Sequence, residues 1–141
     1  MKIQTTFLLA AILLTVFFTS QTYAEYVVIV NPDNSNTLTE KQISDIFMAK
    51  AKTYPDGSSA KPLDRPERSP IRVSFINTIL GKNEVQFKSY WARLIFTGRA
   101  IPPQIVDSDN ETKKLVSSDP QYIGIIDKSA VDGTVKVIKI F

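Results

Sequence analysis

The chain has 141 residues, contains neither histidine nor cysteine, and carries a formal net charge of +3 at pH 7. The lack of histidine removes the commonest general base and metal ligand. The lack of cysteine excludes disulfides, thiol nucleophiles and cysteine-bound zinc. The mild positive charge suits a small anionic ligand and is too weak to indicate nucleic acid as a partner. The composition therefore favours a protein that is not an enzyme and that carries no metal or other cofactor.

Residues 1–24 have the pattern of a secretory signal peptide. Lys2 supplies the positive start, residues 7–18 form an apolar run interrupted once by threonine, and the segment ends in Thr-Tyr-Ala. The apolar run is shorter than the roughly 20 residues that a transmembrane helix needs. We therefore expect cleavage after residue 24, a single periplasmic or secreted domain over residues 25–141, and no membrane anchor in it.

The first predicted strand covers residues 26–30, an uninterrupted β-branched run followed by a turn at 31–34. A strand that is apolar on both faces is typical of a sheet covered by helices. Thr39, with Gln42 three residues later, predicts the start of a helix through a capping box. The apolar residues of that helix are Ile43, Ile46 and Phe47.

A turn is predicted at residues 54–59 and a short extended piece at 62–65, before the clearest helix of the chain. Ser69 is a favoured N-cap, Pro70 is favoured at the first helical position, and Gly81 is the predicted end. The apolar stripe of this helix comprises Ile71, Phe75, Ile76, Ile79 and Leu80.

Asn83 and Gln86 predict another helix start, which Gly98 and the prolines at 102–103 bring to an end. The broad apolar face of this helix comprises Phe87, Tyr90, Trp91, Leu94 and Ile95. We expect its aromatic residues, and Phe96 after them, to lie in the core.

Ser108 and Glu111 form the capping-box pattern of a last short helix, and two β-branched strands follow at 122–126 and 135–140. Strands that alternate with helices predict an α/β fold with a mostly parallel sheet flanked by helices on both faces. We expect residues 26–30 near the sheet centre and residues 135–140 at an edge or antiparallel.

The segment most able to bind a ligand surrounds the start of the Ser69-Pro70 helix. A helix start offers unpaired N–H groups and partial positive charge to an oxyanion. The backbone amides of Ile71 and Arg72 and the Ser69 hydroxyl are the candidate donors, and Glu67 could orient an arginine. The arginines gathered there are Arg65, Arg68 and Arg72.

The same residues also fit a simpler interpretation. Ser-Pro begins many helices that bind nothing, and the charged residues before it could form a solvated loop with weak ion pairs. The pattern by itself leaves both interpretations open.

The order of elements resembles the second lobe of the phosphate-binding protein of ABC phosphate importers, a type II periplasmic binding protein. The resemblance covers nearly all of residues 25–141, and each of its motifs is weak alone. The matching positions are 28–33, 38–50, Arg65-x-Glu67-x-Ser69, Phe75, Trp91 and 123–126.

The resemblance implies that Arg65, Glu67 and Ser69 contact phosphate, with Glu67 accepting the proton of a hydrogen-phosphate. Two positions depart from the family pattern, because Pro70 stands where glycine is usual and Ile71 where threonine is usual. A backbone donor and a hydroxyl are therefore missing, and Arg72 could compensate.

Family members close two lobes over the ligand, whereas this chain has room for one, so water would compete for each hydrogen bond to the anion. We expect weak or absent phosphate binding unless a second subunit covers the site. The alternative is an interaction module with an eroded ligand site, which docks onto an envelope or sensor protein or onto a second copy. An enzyme is the least favoured reading.

Overall fold

The computed structural model describes residues 20–141, which fold into a five-stranded sheet with four α-helices and one 3₁₀ helix. The predicted order of elements is confirmed. The elements are β1 Tyr26–Val30, α1 Glu40–Phe47, β2 Lys61–Asp64, α2 Pro70–Thr78, α3 Glu84–Phe96, β3 Gln104–Ile105, α4 Asp109–Ser118, β4 Tyr122–Asp127, the 3₁₀ helix Lys128–Ala130, and β5 Lys136–Ile140.

The strand order across the sheet is β3-β2-β4-β1-β5. β2 pairs in parallel with both β3 and β4, whereas β1 is antiparallel to both β4 and β5. Four strands therefore run in one direction and β1 alone runs against them. This confirms the predicted α/β class and its mostly parallel strand direction.

The sheet is covered on both faces, as predicted. Alternate residues of β1 enter different apolar clusters: Val28 and Val30 face one, and Val27 and Ile29 face the other. The first cluster includes apolar residues of α1, α2 and α3, and the second includes those of α4. Because successive side chains of a strand point to opposite faces, only a sheet buried on both sides explains such a continuous apolar run.

The predicted helix starts are largely confirmed by their caps. Thr39 before α1 and Asn83 before α3 each form a complete capping box with the glutamine three residues later. Ser108 accepts from the Glu111 amide before α4, which is one half of the predicted box. These side chains satisfy amides that the first helical turn leaves unpaired.

β1 lies beside the central strand β4, and β5 forms an edge of the sheet and is antiparallel to β1, so the predicted positions of both strands are confirmed. Two other details differ from prediction. Gly81 has the expected positive φ of 61°, but α2 ends earlier, with Ile79 as its C-cap. The prediction that Phe96 lies in the core is wrong, since Phe96 is 94% exposed. It is the last residue of α3, whose buried residues Phe87 and Trp91 lie earlier in the helix.

The predicted signal peptide lies almost entirely outside the described residues, and its cleavage after residue 24 stays a prediction. Residues 20–25 have no regular structure and are exposed. No helix within residues 20–141 combines the length and apolar character needed to cross a bilayer.

Candidate oxyanion site at the ends of the parallel strands

The candidate site lies at the edge of the sheet where the three mutually parallel strands end. β2 ends at Asp64 and leads through Arg65 to the start of α2, and β3 leads to the start of α4 at Asp109. In sheets of this kind, ligands bind outside the carboxyl ends of the strands, where helices begin. The loop predicted from sequence therefore lies where the topology favours a ligand.

Arg65 is buried, and its guanidinium reaches toward α4. Nη1 donates to Oδ1 of Asp109 at 2.7 Å and to the carbonyl of Ile125 at 3.3 Å, while Nη2 donates to the carbonyl of Asp107 at 3.4 Å. Its Nε atom is buried and has no hydrogen-bond partner within residues 20–141. A guanidinium has five N–H donors, and three of those of Arg65 are used within the protein while the Nε–H is enclosed, so one N–H of Nη2 remains.

Arg72 is also buried and is held by two carboxylates. Its Nε donates to Oδ2 of Asp64 at 3.0 Å and its Nη1 to Oε2 of Glu84 at 2.9 Å. The guanidinium stacks 5.1 Å from the centre of the Phe87 ring. The side chain of Arg72 is therefore part of the packing between α2 and α3, and only its backbone amide is free for the anion role predicted for it.

The buried Asp64 carboxyl connects the two arginines. Oδ1 accepts from the backbone N–H of Arg65 at 2.8 Å, and Oδ2 accepts from Arg72. Burial raises the pKa of Asp64 above its usual range, and the nearby Arg72 charge opposes that rise in part. A carboxylate removed from water is costly, and the ion pair with Arg72 favours the charged form of Asp64 against that cost.

The start of α2 keeps the donors that the sequence predicted. The amides of Ile71 and Arg72 have no acceptor in the part of the chain that the structure describes, and Ser69 makes no side-chain cap. The Ser69 hydroxyl instead donates to the carbonyl of Pro66 at 2.7 Å. Ser69 is half-buried and Pro70 exposed, so this helix start lies at the surface.

Glu67 lies in the same loop and faces solvent. Its Oε1 atom is 3.5 Å from Nζ of Lys88, and both side chains are mostly exposed. Arg68 has a positive φ of 65° and its backbone N–H donates to Oε1 of Glu84 at 3.3 Å. The loop therefore brings Glu67 and Ser69 together near the α2 start, while the guanidinium groups of Arg65 and Arg72 pair with other elements.

Two buried guanidinium groups at this edge pair with three carboxylates, and each carboxylate lowers the positive potential available to an anion. None of these three carboxylates was identified from the sequence as a partner of the arginines. The signal that could have found them is the arginine content of this loop and of the first turn of α2, because a buried arginine requires a carboxylate partner. The three are Asp64, Glu84 and Asp109.

No group of three or more potential metal-ligating side chains occurs within residues 20–141. The donors at this edge are N–H groups and a hydroxyl, which suit an anion.

No protein-family model and no curated protein sequence matches this chain. Solved structures do match it. One is described as a phosphate ABC transporter substrate-binding protein with bound phosphate from Clostridium perfringens, with a TM-score of 0.64 and 22% identity. Another is an ABC-type phosphate transport receptor from Vibrio cholerae, with a TM-score of 0.63 and 22% identity. PstS from Borrelia burgdorferi matches with a TM-score of 0.57 and 15% identity.

The three matches cover 82% of this chain, and 45%, 46% and 47% of the respective solved chains. The chain thus spans less than half the length of these structures. At such identities the similarity establishes the fold, which is that of one lobe of a phosphate-type substrate-binding protein. The resemblance predicted from the sequence is confirmed at that level.

Proposed function

We propose that this protein is a periplasmic solute-binding lobe that recognises inorganic phosphate or a similar oxyanion, in a role related to ABC phosphate import. The observation that carries the proposal is a set of donors without acceptors at one edge of a phosphate-receptor fold. That set comprises the backbone amides of Ile71 and Arg72. A helix start of this kind binds anions through its N–H groups and its dipole.

In the proposed complex, the amides of Ile71 and Arg72 donate to the anion from the start of α2. The Ser69 hydroxyl turns from the carbonyl of Pro66 to the ligand, which requires only a rotation about its side chain. Arg65 adds positive charge beside the anion through its guanidinium group. Glu67 accepts the proton of a hydrogen-phosphate and so disfavours sulfate, which has no proton at neutral pH.

The affinity is proposed to be weak, in the millimolar range. The start of α2 lies at the surface, so water competes for every hydrogen bond that the anion receives. Asp109 also occupies Arg65, and an anion must compete with that carboxylate for the guanidinium. A second subunit that covers the site would exclude water and tighten binding.

Export to the periplasm is proposed from the sequence pattern of residues 1–24. Mass spectrometry of the protein from a periplasmic fraction tests it, since a mature chain that begins at Glu25 is the expected species. A chain that retains Met1 in the cytoplasm would contradict it.

Isothermal titration calorimetry with phosphate, and with sulfate as comparison, tests the site. Arg65→Ala and Ser69→Ala should each weaken phosphate binding, while Arg93→Ala, at an exposed arginine of α3, should leave it unchanged. Glu67→Gln should reduce the preference for phosphate over sulfate. Each variant is first compared with the parent by thermal unfolding. Folded Arg65→Ala and Ser69→Ala proteins with parental affinity would refute the assignment.

A second candidate function is an interaction module that docks onto an envelope protein or a second copy. Two observations favour it: the guanidinium groups of Arg65 and Arg72 are already paired with carboxylates, and apolar side chains are exposed at the end of α3 and in the loop after it. Phe96 is 94% and Ile101 89% exposed, and Ile95 is also exposed nearby. Large exposed apolar side chains that lie together mark interaction surfaces.

Sedimentation velocity and crosslinking separate the two candidates. An interaction module should self-associate or capture a defined envelope partner through the surface around Phe96, and Phe96→Ser should abolish that association without changing phosphate affinity. A monomer that forms no crosslinks and is stabilised by phosphate would exclude the second candidate.

Catalysis is not part of either proposal, because the fold is that of binding proteins and the chain lacks histidine and cysteine. Turnover of a chromogenic phosphoester by the purified protein would contradict this.

A further inference from the structure

A cavity lies at the end of β2 opposite to the candidate oxyanion site. It has a volume of about 590 Å³ and is bounded by the end of α1, the start of β2, Trp91 of α3 and the loop at residues 98–101. Pockets for small organic ligands usually measure about 300–1,000 Å³. The cavity is thus large enough for a small organic molecule, and its position separates it from the anion site at Arg65.

The cavity combines apolar walls with a cationic rim. Ile46, Ala60 and the Trp91 indole contribute apolar surface, whereas Lys52, Lys61 and Arg99 contribute positive charge. No carboxylate lines the cavity.

The rim cations are not neutralised by the protein. From residue 20 onward, Lys52, Lys61 and Arg99 take part in no ion pair. Lys61 lies 5.7 Å from the centre of the Tyr122 ring, a contact that leaves its charge available to an anion. The unmatched charge of this rim therefore favours an anionic group.

Trp91 forms part of the cavity wall and is 94% buried in the fold. Its Nε1–H has no acceptor within residues 20–141 and is itself enclosed by protein, so it is out of reach of a ligand in the cavity. Trp91 therefore serves this site as apolar surface.

We infer that this cavity binds a small amphipathic carboxylate, with its apolar body against Ile46 and Trp91 and its carboxylate at the rim formed by Lys52, Lys61 and Arg99. The apolar body distinguishes this ligand from an inorganic anion, and the carboxylate distinguishes it from a neutral or cationic apolar molecule. The site is independent of the proposed phosphate site, since the two lie at opposite ends of β2.

Trp91 is the only tryptophan of the chain and lines this cavity, so its fluorescence can follow ligand binding there, with inorganic phosphate as the control for the neighbouring anion site. The test is a fluorescence titration of the full-length protein with octanoate, compared with 1-octanol, octylammonium and inorganic phosphate. Octanoate should shift the Trp91 emission in a saturable way. 1-Octanol and octylammonium lack the carboxylate, so they should bind more weakly than octanoate, by about two- to fivefold for each contact with a rim cation that the carboxylate makes.

Three variants assign the contacts. Lys52→Gln combined with Arg99→Gln should weaken octanoate binding by about tenfold, and Ala100→Leu should weaken every apolar probe by occupying space in the cavity. Lys114→Gln, at an exposed lysine of α4, should change nothing. Arg65→Ala should leave octanoate binding intact, so that failure of the phosphate site is distinguishable from failure of this one.

The inference is overturned if octanoate produces no saturable change in Trp91 emission. It is also overturned if octylammonium or inorganic phosphate binds with the affinity of octanoate, or if the double variant binds octanoate as the parent does while remaining folded by thermal unfolding.

Discussion

The ion pair between Arg65 and Asp109 should weaken phosphate binding at the proposed anion site. The 2.7 Å contact joins a side chain that is 10% exposed to one that is 29% exposed. Asp109 competes with any anion for Arg65, so Asp109→Asn should release donor capacity and remove a like charge from the site. We therefore expect phosphate to bind more tightly to Asp109→Asn than to the parent.

The magnitude follows from what the substitution removes. Two unit charges about 4 Å apart interact by about 4 kcal/mol at the effective dielectric constant of a protein surface, and solvent reduces this for the partly exposed Asp109. The asparagine oxygen can still accept one bond from Arg65, so only the charged part of the interaction is lost. A net gain for phosphate of about 1–1.5 kcal/mol corresponds to an affinity about tenfold higher.

Calorimetry of phosphate binding to the parent and the variant measures this gain. Asp109 is also an acidic residue in the first turn of α4, where its charge favours the helix by about 0.3–1 kcal/mol. Glu111→Gln is the matched control, because it removes a second acidic residue of the same turn without touching Arg65. An unchanged or weaker affinity in folded Asp109→Asn, or an equal gain in Glu111→Gln, would refute the reasoning.

Two further predictions concern stability. Burial already raises the pKa of Asp64 above its usual range, and Arg72→Met should raise it further. The substitution should cost about 3–5 kcal/mol of folding free energy at pH 7, because it leaves that carboxylate unpaired. Because a carboxyl with a raised folded-state pKa stabilises the fold at low pH and loses that contribution as pH rises, the loss in urea unfolding should shrink at about pH 5; an equal loss at both pH values would contradict it. Gly124→Ala should cost about 1–3 kcal/mol, since its new Cβ would lie 2.6 Å from Cγ2 of Thr112, whereas Gly133→Ala has open space and should change stability by under about 0.5 kcal/mol. Equal melting temperatures for the two alanine variants would show that β4 and α4 separate freely.

Much of the architecture was predictable because its signals are local. Capping residues, apolar periodicity and the β-branched runs depend on neighbours a few residues apart, and they predicted the order of the elements and the sheet with two covered faces. The position of the candidate site was also predictable, since an arginine-rich loop leads directly into a serine–proline helix start.

Pairing between distant residues was not predictable. Asp109 lies 44 residues from Arg65, and nothing in its surroundings marks it as more than a favourable first-turn acid. The exposure of Phe96 was missed for a related reason. The helical period groups Phe96 with the buried aromatic residues of α3, but it does not show how far along the helix the rest of the protein covers that face.

The sequence by itself determined the α/β class, the helix starts and the loop on which the candidate oxyanion site lies, because each rests on interactions within a few residues. Only the tertiary structure decided which strand is central and which carboxylates face Arg65 and Arg72. It also formed the cavity beside Trp91. These depend on which distant segments come together, and that is settled by the joint burial of apolar surface and charge across the whole sheet.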